Sequence, residues 1–149
     1  MNRLLVAIDF SDISSKVLTT SLNLARALAG ELYLIHVAEP DPIFVGHEVD
    51  PQVDREALAQ RLRVEHSRLQ EMAAQVESAG VKVTPLLVQG PTVEKILDEA
   101  QQLEASLIVM GTHGHGALYQ TLVGSVSSGV LRKTSCPVVM VPASGQADT

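Results

Sequence analysis

Short apolar segments alternate with longer amphipathic segments along the chain, and this alternation limits the folds open to it more than any other feature. Five segments are runs of four to eight residues dominated by Val, Ile and Leu. Runs this short and this apolar are typical of strands buried on both faces of a sheet. The five predicted strands are Leu4–Ile8, Leu32–Val37, Val81–Val88, Leu107–Met110 and Val138–Val141.

The segments between these runs repeat apolar residues at spacings of three and four, which is the period of an amphipathic helix. The first predicted helix has cap candidates from Ser11 to Ser14 and ends at Gly30. The second runs through Leu58 to Gly80, and we interpret its charged outer side as a solvated face, made of Arg55, Arg61, Glu65, Arg68 and Glu71. The third spans Pro91 or Thr92 to Leu103, and the fourth spans Gly124-Ser125 to Lys133.

The resulting order βαβαβαβαβ indicates an α/β fold, a parallel sheet with helices on both faces. Right-handed crossovers narrow the topology further. We predict a doubly wound five-stranded parallel sheet of order 3-2-1-4-5. In such a sheet the winding reverses between strands 1 and 4, and ligands bind there, beyond the carboxyl ends of the strands. The loops after Ile8 and Met110 are therefore the ones expected to carry a site.

Composition limits the class of protein and its partners. The chain has 149 residues, 46% hydrophobic and 19% charged, which suits one globular domain. The net charge of −6, with no basic segment, argues against a nucleic-acid partner. The apolar run after Arg3 is too short for a signal peptide, no run approaches the length of a membrane span, and Cys136 has no second cysteine to pair with. We expect a cytoplasmic protein without membrane insertion.

Two segments fall outside the strand and helix pattern. Residues Ala38 to Val53 include three prolines and Gly46, which predicts a long loop. Such a loop serves either as a lid or partner surface or as a plain connector, and both interpretations stay open. Residues Ala143 to Thr149 are small and polar, so we expect a domain over residues 1–142 and a flexible tail over residues 143–149.

The segment after the fourth strand, Gly111 to Ser125, is the strongest candidate for chemistry. It holds four glycines, which let backbone amides approach a ligand closely, and it opens the fourth helix. A helix N-terminus presents unpaired N–H groups and a partial positive charge, so this segment predicts a phosphate cradle. The G-x-x-x-x-G-K-[ST] loop is absent, and Asp9 to Ser14 replaces the G-x-G-x-x-G that a dinucleotide site would need after strand 1.

The spacing Gly111-x2-Gly114-x9-Gly124-Ser125 resembles the nucleotide-binding signature of the universal stress protein family. The first, second and closing strands of that family are similar to Val6–Ser11, Leu34–Val37 and Pro137–Pro142. The resemblance covers essentially the whole chain. It implies an adenine-nucleotide-hydrolase-like fold that binds ATP, with Mg²⁺ as the candidate counter-ion to the phosphates.

The resemblance also implies a role for each matching position. The backbone around Ala7 and Val37 would edge the adenine, and Asp9 would face the ribose or a bound metal. The ribose and phosphates would be lined by Met110, Gly111, His113 and Gly114, and the phosphate tail held by Gly124, Ser125 and Val126. Asp9 alternatively acts only as a helix cap or turn former, since a carboxylate beside phosphates repels them unless Mg²⁺ intervenes.

Other reactive side chains are interpreted as structural. His113 and His115 lie two residues apart without the further ligands that a zinc site needs. His36, at the end of a strand, is expected to be packed and hydrogen-bonded rather than catalytic. Ser127 and Ser128 are expected on the surface of the fourth helix. No residue is assigned a catalytic role and none a metal.

Three functions remain open. The first is a regulatory stress-response protein, in which ATP occupancy is read through self-association or an unknown protein partner. The second is a slow ATP hydrolase, since the segment from Gly111 to Ser125 has no Lys, Arg or convincing base. The third is a ligand-free dimerising module. A phospho-receiver is excluded because strand 3 ends at Gln89 without an Asp. The apolar edge strand Pro137–Pro142 predicts a homodimer, which universal stress proteins commonly form through this strand.

Overall fold

The computed structural model describes residues 1–39, 51–112 and 124–143. The elements follow the predicted alternation, and their bounds are β1 Arg3–Ala7, α1 Ser14–Leu28, β2 Glu31–Ala38, α2 Pro51–Ser78, β3 Val83–Gln89, α3 Thr92–Gln102, β4 Leu107–Gly111, α4 Ser125–Lys133 and β5 Val138–Val141. All neighbouring strands pair in parallel, in the order β3-β2-β1-β4-β5. The predicted fold and strand order are confirmed.

Each face of the sheet carries its own apolar core, because successive residues of a strand point to opposite faces. Leu4 and Val6 of β1 pack with residues of α1 and α2, while Leu5 packs with residues of α3 and α4. The sheet is thus covered on both sides, as continuous runs of apolar residues require. We call these two sides the α1–α2 face and the α3–α4 face.

The ends of α1 differ from the prediction. Its N-cap is Ile13, without a side-chain cap, so the expected serine cap is wrong. Ser11 and Ser14 instead donate to the Asp9 carboxylate. At the other end Ala29, not Gly30, takes the left-handed conformation, with φ of 51°. Gly30 is needed for a close approach, since a Cβ there would lie 2.7 Å from the Asn2 backbone oxygen.

The second helix is longer than predicted and begins at Pro51, so Pro51–Val53 are helical and Ala38 belongs to β2. The loop predicted over Ala38 to Val53 is therefore too long at both ends. Its residues 40–50 lie outside the described residues. Among the α2 side chains that the structure describes, those anchored in the core are Leu69, Ala73 and Val76, all in the second half of the helix. Within the described ranges, no helix has the length and apolar character needed to cross a membrane.

Helices α3 and α4 pack so closely at Gly129 that a Cβ there would lie 2.9 Å from Val93 Cγ2. We expect Gly129→Leu to destabilise the fold by about 1–3 kcal/mol, the usual cost of overpacking. Gly129→Ala is the matched control, because the better helix propensity of Ala, about 1 kcal/mol, offsets a small shift of Val93. Urea unfolding of the two variants measures the difference. A Leu variant as stable as the Ala variant would show that the two helices separate freely.

Candidate functional site

Three residues predicted to line a ligand lie at the carboxyl ends of adjacent strands. Ala7 ends β1, and Val37 and Met110 are the penultimate residues of β2 and β4. All three belong to the core on the α3–α4 face, and Val126 of α4 packs against the same core. The strand order places β1 between β2 and β4. The structure therefore brings these four candidates together as an apolar cluster at the predicted switch point, with Val37 and Met110 buried.

The N-terminus of α4 adjoins this cluster, since Val126 packs against it. Its N-cap is Gly124, with φ of −70° and ψ of 170° and without a side-chain cap. The first bond along the helix runs from the Ser128 N–H to the Gly124 oxygen. The N–H groups of the three residues between them therefore lack a helical acceptor. Ser125 is exposed at this end of the helix, where the partial positive charge of the helix dipole lies.

The two ends of the glycine-rich segment meet. The Gly124 N–H donates to the Thr112 oxygen at 2.6 Å, and the Thr112 N–H donates to the Val141 oxygen at 2.9 Å. Gly111, which ends β4, is thus held close to the start of α4. His113 and Gly114, which were predicted to contact a ligand, lie outside the described residues, as does His115.

Ser127 holds α4 against β4, and the prediction that it faces the helix surface is wrong. It is buried, and its hydroxyl donates to the Gly111 oxygen at 2.6 Å. Ser128 is half-buried. The signal was present in the sequence, since Ser127 lies three residues before the buried Val130 and so shares its helix face.

Asp9 acts as a turn former. Its Oδ1 accepts bonds from the Ser11 N–H at 2.9 Å, the Ser11 hydroxyl at 2.6 Å and the Ser14 hydroxyl at 3.3 Å. Phe10, the next residue, has a left-handed backbone with φ of 61°. The alternative prediction of a turn-forming Asp9 is confirmed. A ligand contact would fall to the other carboxylate oxygen, and that role stays a prediction.

On the opposite face, α2 contacts the same ends of β1 and β2. His36 is buried, with Nδ1 2.7 Å from the Ile8 oxygen and Nε2 3.1 Å from Glu65 Oε2. Its expected packed, hydrogen-bonded state is confirmed. Arg61 donates to the Glu39 oxygen at 2.8 Å, so the solvated-face interpretation of Arg61 and Glu65 is wrong. Apolar periodicity carries no signal for these polar contacts.

Glu39 caps α3 from the end of β2. Its Oε1 accepts a bond from the Thr92 N–H at 2.9 Å and a short bond from the Thr92 hydroxyl. The Thr92 hydroxyl, followed by the Thr92 N–H, holds the pKa of Glu39 below its ordinary value. The cap is therefore strongest above the ordinary pKa of a glutamate and is lost as the pH falls and Glu39 is protonated.

The described part of the chain holds no group of three or more His, Cys, Asp or Glu placed to bind a metal ion. The donors at the candidate site are backbone N–H groups and one serine hydroxyl, and they lie beside an apolar cluster. This set suits an anion attached to a flat apolar group.

Comparison with known proteins gives a consistent result. The model of the universal stress protein family matches residues 1–142. A universal stress protein of Thermus aquaticus is 37% identical over 140 residues, covering 93% of this chain and 96% of its own length. The solved structure of MJ0577 from Methanocaldococcus jannaschii superposes with a TM-score of 0.85 at 25% identity, covering 97% of this chain and 98% of its own.

Two further structures share the fold at 21% identity. One is a universal stress protein solved in complex with cAMP, with a TM-score of 0.69 and coverage of 95% of this chain and 96% of its own. The other, from Archaeoglobus fulgidus, was solved in complex with dAMP, with a TM-score of 0.64 and coverage of 94% and 97%.

Proposed function

This chain belongs to the universal stress protein family, and we propose that it binds ATP at the carboxyl edge of its sheet and acts as a nucleotide-dependent switch. The observation that carries the proposal is the apolar cluster of Ala7, Val37 and Met110 at the strand ends beside the N-terminus of α4, whose N-cap Gly124 has no side-chain cap. The apolar cluster can contact the base of a nucleotide, and the adjoining helix N-terminus can contact its phosphates. The cAMP and dAMP complexes of two proteins with this fold support an adenine nucleotide.

In this proposal the adenine rests at the backbone of Ala7 and Val37. Asp9 receives the ribose hydroxyls on the carboxylate oxygen that is not used in the turn. The ribose and the first phosphate are lined by Met110, Gly111, His113 and Gly114. The remaining phosphates are held by Gly124, Ser125 and Val126. Mg²⁺ would accompany the phosphates and neutralise part of their charge.

Binding rather than rapid hydrolysis is the function proposed. Hydrolysis needs a positioned water and charge stabilisation in the transition state, usually from Lys or Arg. The segment from Gly111 to Ser125 contains neither residue. The switch would act through self-association at β5 or through a protein partner, in the cytoplasm.

Calorimetric titration of nucleotide-free protein tests the proposal. We expect micromolar affinity for MgATP, about −8 kcal/mol, and no measurable binding of MgGTP. No heat with either nucleotide, in protein shown to be folded and empty, would favour the alternative of a ligand-free dimerising module. Release of phosphate at many turnovers per minute would favour the hydrolase.

Ser127 and Ser128 provide a matched pair for the phosphate site. Ser127→Ala removes the bond that holds α4 against the Gly111 oxygen. We expect it to weaken ATP binding by about fivefold to tenfold, the usual worth of one buried hydrogen bond. Adenosine affinity should change little, because adenosine does not reach α4. Ser128→Ala should leave both affinities near the wild-type values, and equal losses in the two variants would contradict the role of Ser127.

A further inference from the structure

Both ring nitrogens of His36 meet atoms that accept hydrogen bonds. Nδ1 lies 2.7 Å from the Ile8 backbone oxygen, and Nε2 lies 3.1 Å from Glu65 Oε2. A carbonyl and an ionised carboxylate only accept hydrogen bonds, whereas a neutral imidazole has a single N–H. A neutral His36 beside an ionised Glu65 can therefore make only one of these two hydrogen bonds. Both bonds form only when the His36–Glu65 pair carries one additional proton.

The geometry assigns this proton to His36. The second oxygen of Glu65 lies 3.9 Å from Arg61 Nε, so the carboxylate stands between a guanidinium and the imidazole. That oxygen and Arg61 Nε are both buried without a hydrogen bond among the described residues. A carboxylate next to a guanidinium is favoured in its ionised form, and an ionised carboxylate forms its strongest hydrogen bond with a protonated imidazole.

The other charged groups on the elements next to His36 have partners of their own. The Arg68 guanidinium of α2 lies 4.3 Å over the Phe10 ring, and that ring lies 4.5 Å from the His36 ring. Asp9 follows β1 and is bonded to serines. Glu39 at the end of β2 is bonded to Thr92. Lys16 of α1 donates to the Pro142 oxygen. Glu65 is the group that meets the imidazole directly.

The His36 bond joins the two strand ends that carry the proposed adenine contacts. Ile8 stands between Ala7 and Asp9, and His36 precedes Val37. The bond from Nδ1 adds to the last ladder bond, from the Ile8 N–H to the Ile35 oxygen at 2.8 Å. It therefore holds the ends of β1 and β2 at a fixed distance from each other. It does so from the α1–α2 face of the sheet, which is opposite the face of the proposed adenine site.

We infer that protonated His36, held by Glu65, is a positioning residue for the nucleotide site, so that ATP affinity depends on a proton bound on the opposite face of the sheet. This inference rests on the proposed function. When the proton leaves, one of the two bonds is lost and the ends of β1 and β2 loosen. By linkage, affinity then falls as the pH rises, and ATP in turn favours the protonated pair.

The test is ATP affinity between about pH 5 and pH 8, the range in which imidazole changes charge. Glu65→Gln is the decisive variant, because its amide can donate to a neutral ring and leave the Nδ1–H for Ile8. As the pH rises from about 5 to 8, we expect the ATP affinity of the wild type to fall about fivefold to tenfold more than that of Glu65→Gln. Phosphate groups titrate near pH 6, but they do so equally in both proteins.

His66→Gln, an exposed histidine on the same helix, should keep the wild-type profile. Parallel profiles for the wild type and Glu65→Gln would overturn the inference while leaving ATP binding intact. Absence of ATP binding at every pH would overturn the proposed function and the coupling together. NMR of the ring nitrogens then decides the protonation itself. The wild type should show an N–H group on each of the two His36 ring nitrogens under the conditions where ATP binds most tightly, and a ring with a single N–H there would contradict the assignment.

Discussion

Replacing Ser125 by Asp should lower the affinity for ATP by about 100-fold without weakening the fold. The residue lies at the first position of α4, where the free N–H groups are proposed to hold phosphates. An added carboxylate about 4 Å from a phosphate costs roughly 4 kcal/mol at the effective dielectric of a protein surface, of which solvent screening removes part.

The same substitution should stabilise the helix. The first turn of α4 has no acidic residue, and a carboxylate there interacts favourably with the helix dipole by about 0.3–1 kcal/mol. Stability and affinity therefore move in opposite directions, which separates a binding effect from unfolding. Urea unfolding and calorimetry on the same sample measure both quantities.

Two controls complete the Ser125 experiment. Ser125→Ala removes only one hydroxyl, so we expect a loss in ATP affinity of a few-fold. Adenosine carries no phosphate, so its affinity should be unchanged in Ser125→Asp. Full ATP affinity in the Asp variant would show that the phosphates lie elsewhere.

Replacing Met140 by Pro should convert the proposed homodimer to monomers. Strand β5 is the last strand of the sheet, so one side of its backbone has no partner strand in the described sheet. The Ile108 N–H donates to the Pro137 oxygen, and the Thr112 N–H donates to the Val141 oxygen. Because the two sides alternate along a strand, the Val138 and Met140 N–H groups point outward. A proline at Met140 removes an outward donor and leaves the β4 ladder intact.

The matched substitutions distinguish the edge from the core. Met140→Ala shortens the side chain but keeps the outward N–H, so it should remain dimeric. Val139→Pro removes an inward donor and leaves an acceptor of β4 without its ladder bond, so it should destabilise the fold itself by about 1–3 kcal/mol. Analytical sedimentation of the three variants at micromolar concentration measures whether each is a monomer or a dimer. A dimer that survives Met140→Pro would place the contact between subunits away from β5.

The strands and their order were accessible from the sequence because burial on both faces leaves short runs that are mostly apolar. Strand parity then places Ala7, Val37 and Met110 on one face, so part of the site follows from the pattern as well. The true bounds of α2 were not accessible, since Pro51 is compatible with either a loop or the first turn of a helix. The prediction of a serine cap on α1 was wrong because the Asp9 carboxylate binds the serine hydroxyls instead.

The contacts of α2 with the strand ends could not be predicted for a different reason. Apolar periodicity finds the anchored half of α2, at Leu69 and Val76, but it carries no information on polar side chains. Arg61 and Glu65 look like any exposed charged pair in the sequence. Only the three-dimensional placement of His36 and the Glu39 oxygen gives them partners.

The most direct test of the central claim is a titration of ¹⁵N-labelled protein with MgATP, followed by amide chemical shifts. Binding at the carboxyl edge predicts the largest shifts at Ala7, Val37, Met110, Ser125 and Val126, with little change at Glu104 and Cys136 on the amino edge. Shifts concentrated at the amino edge, or none at saturating nucleotide, would contradict the claim that this edge of the sheet binds ATP.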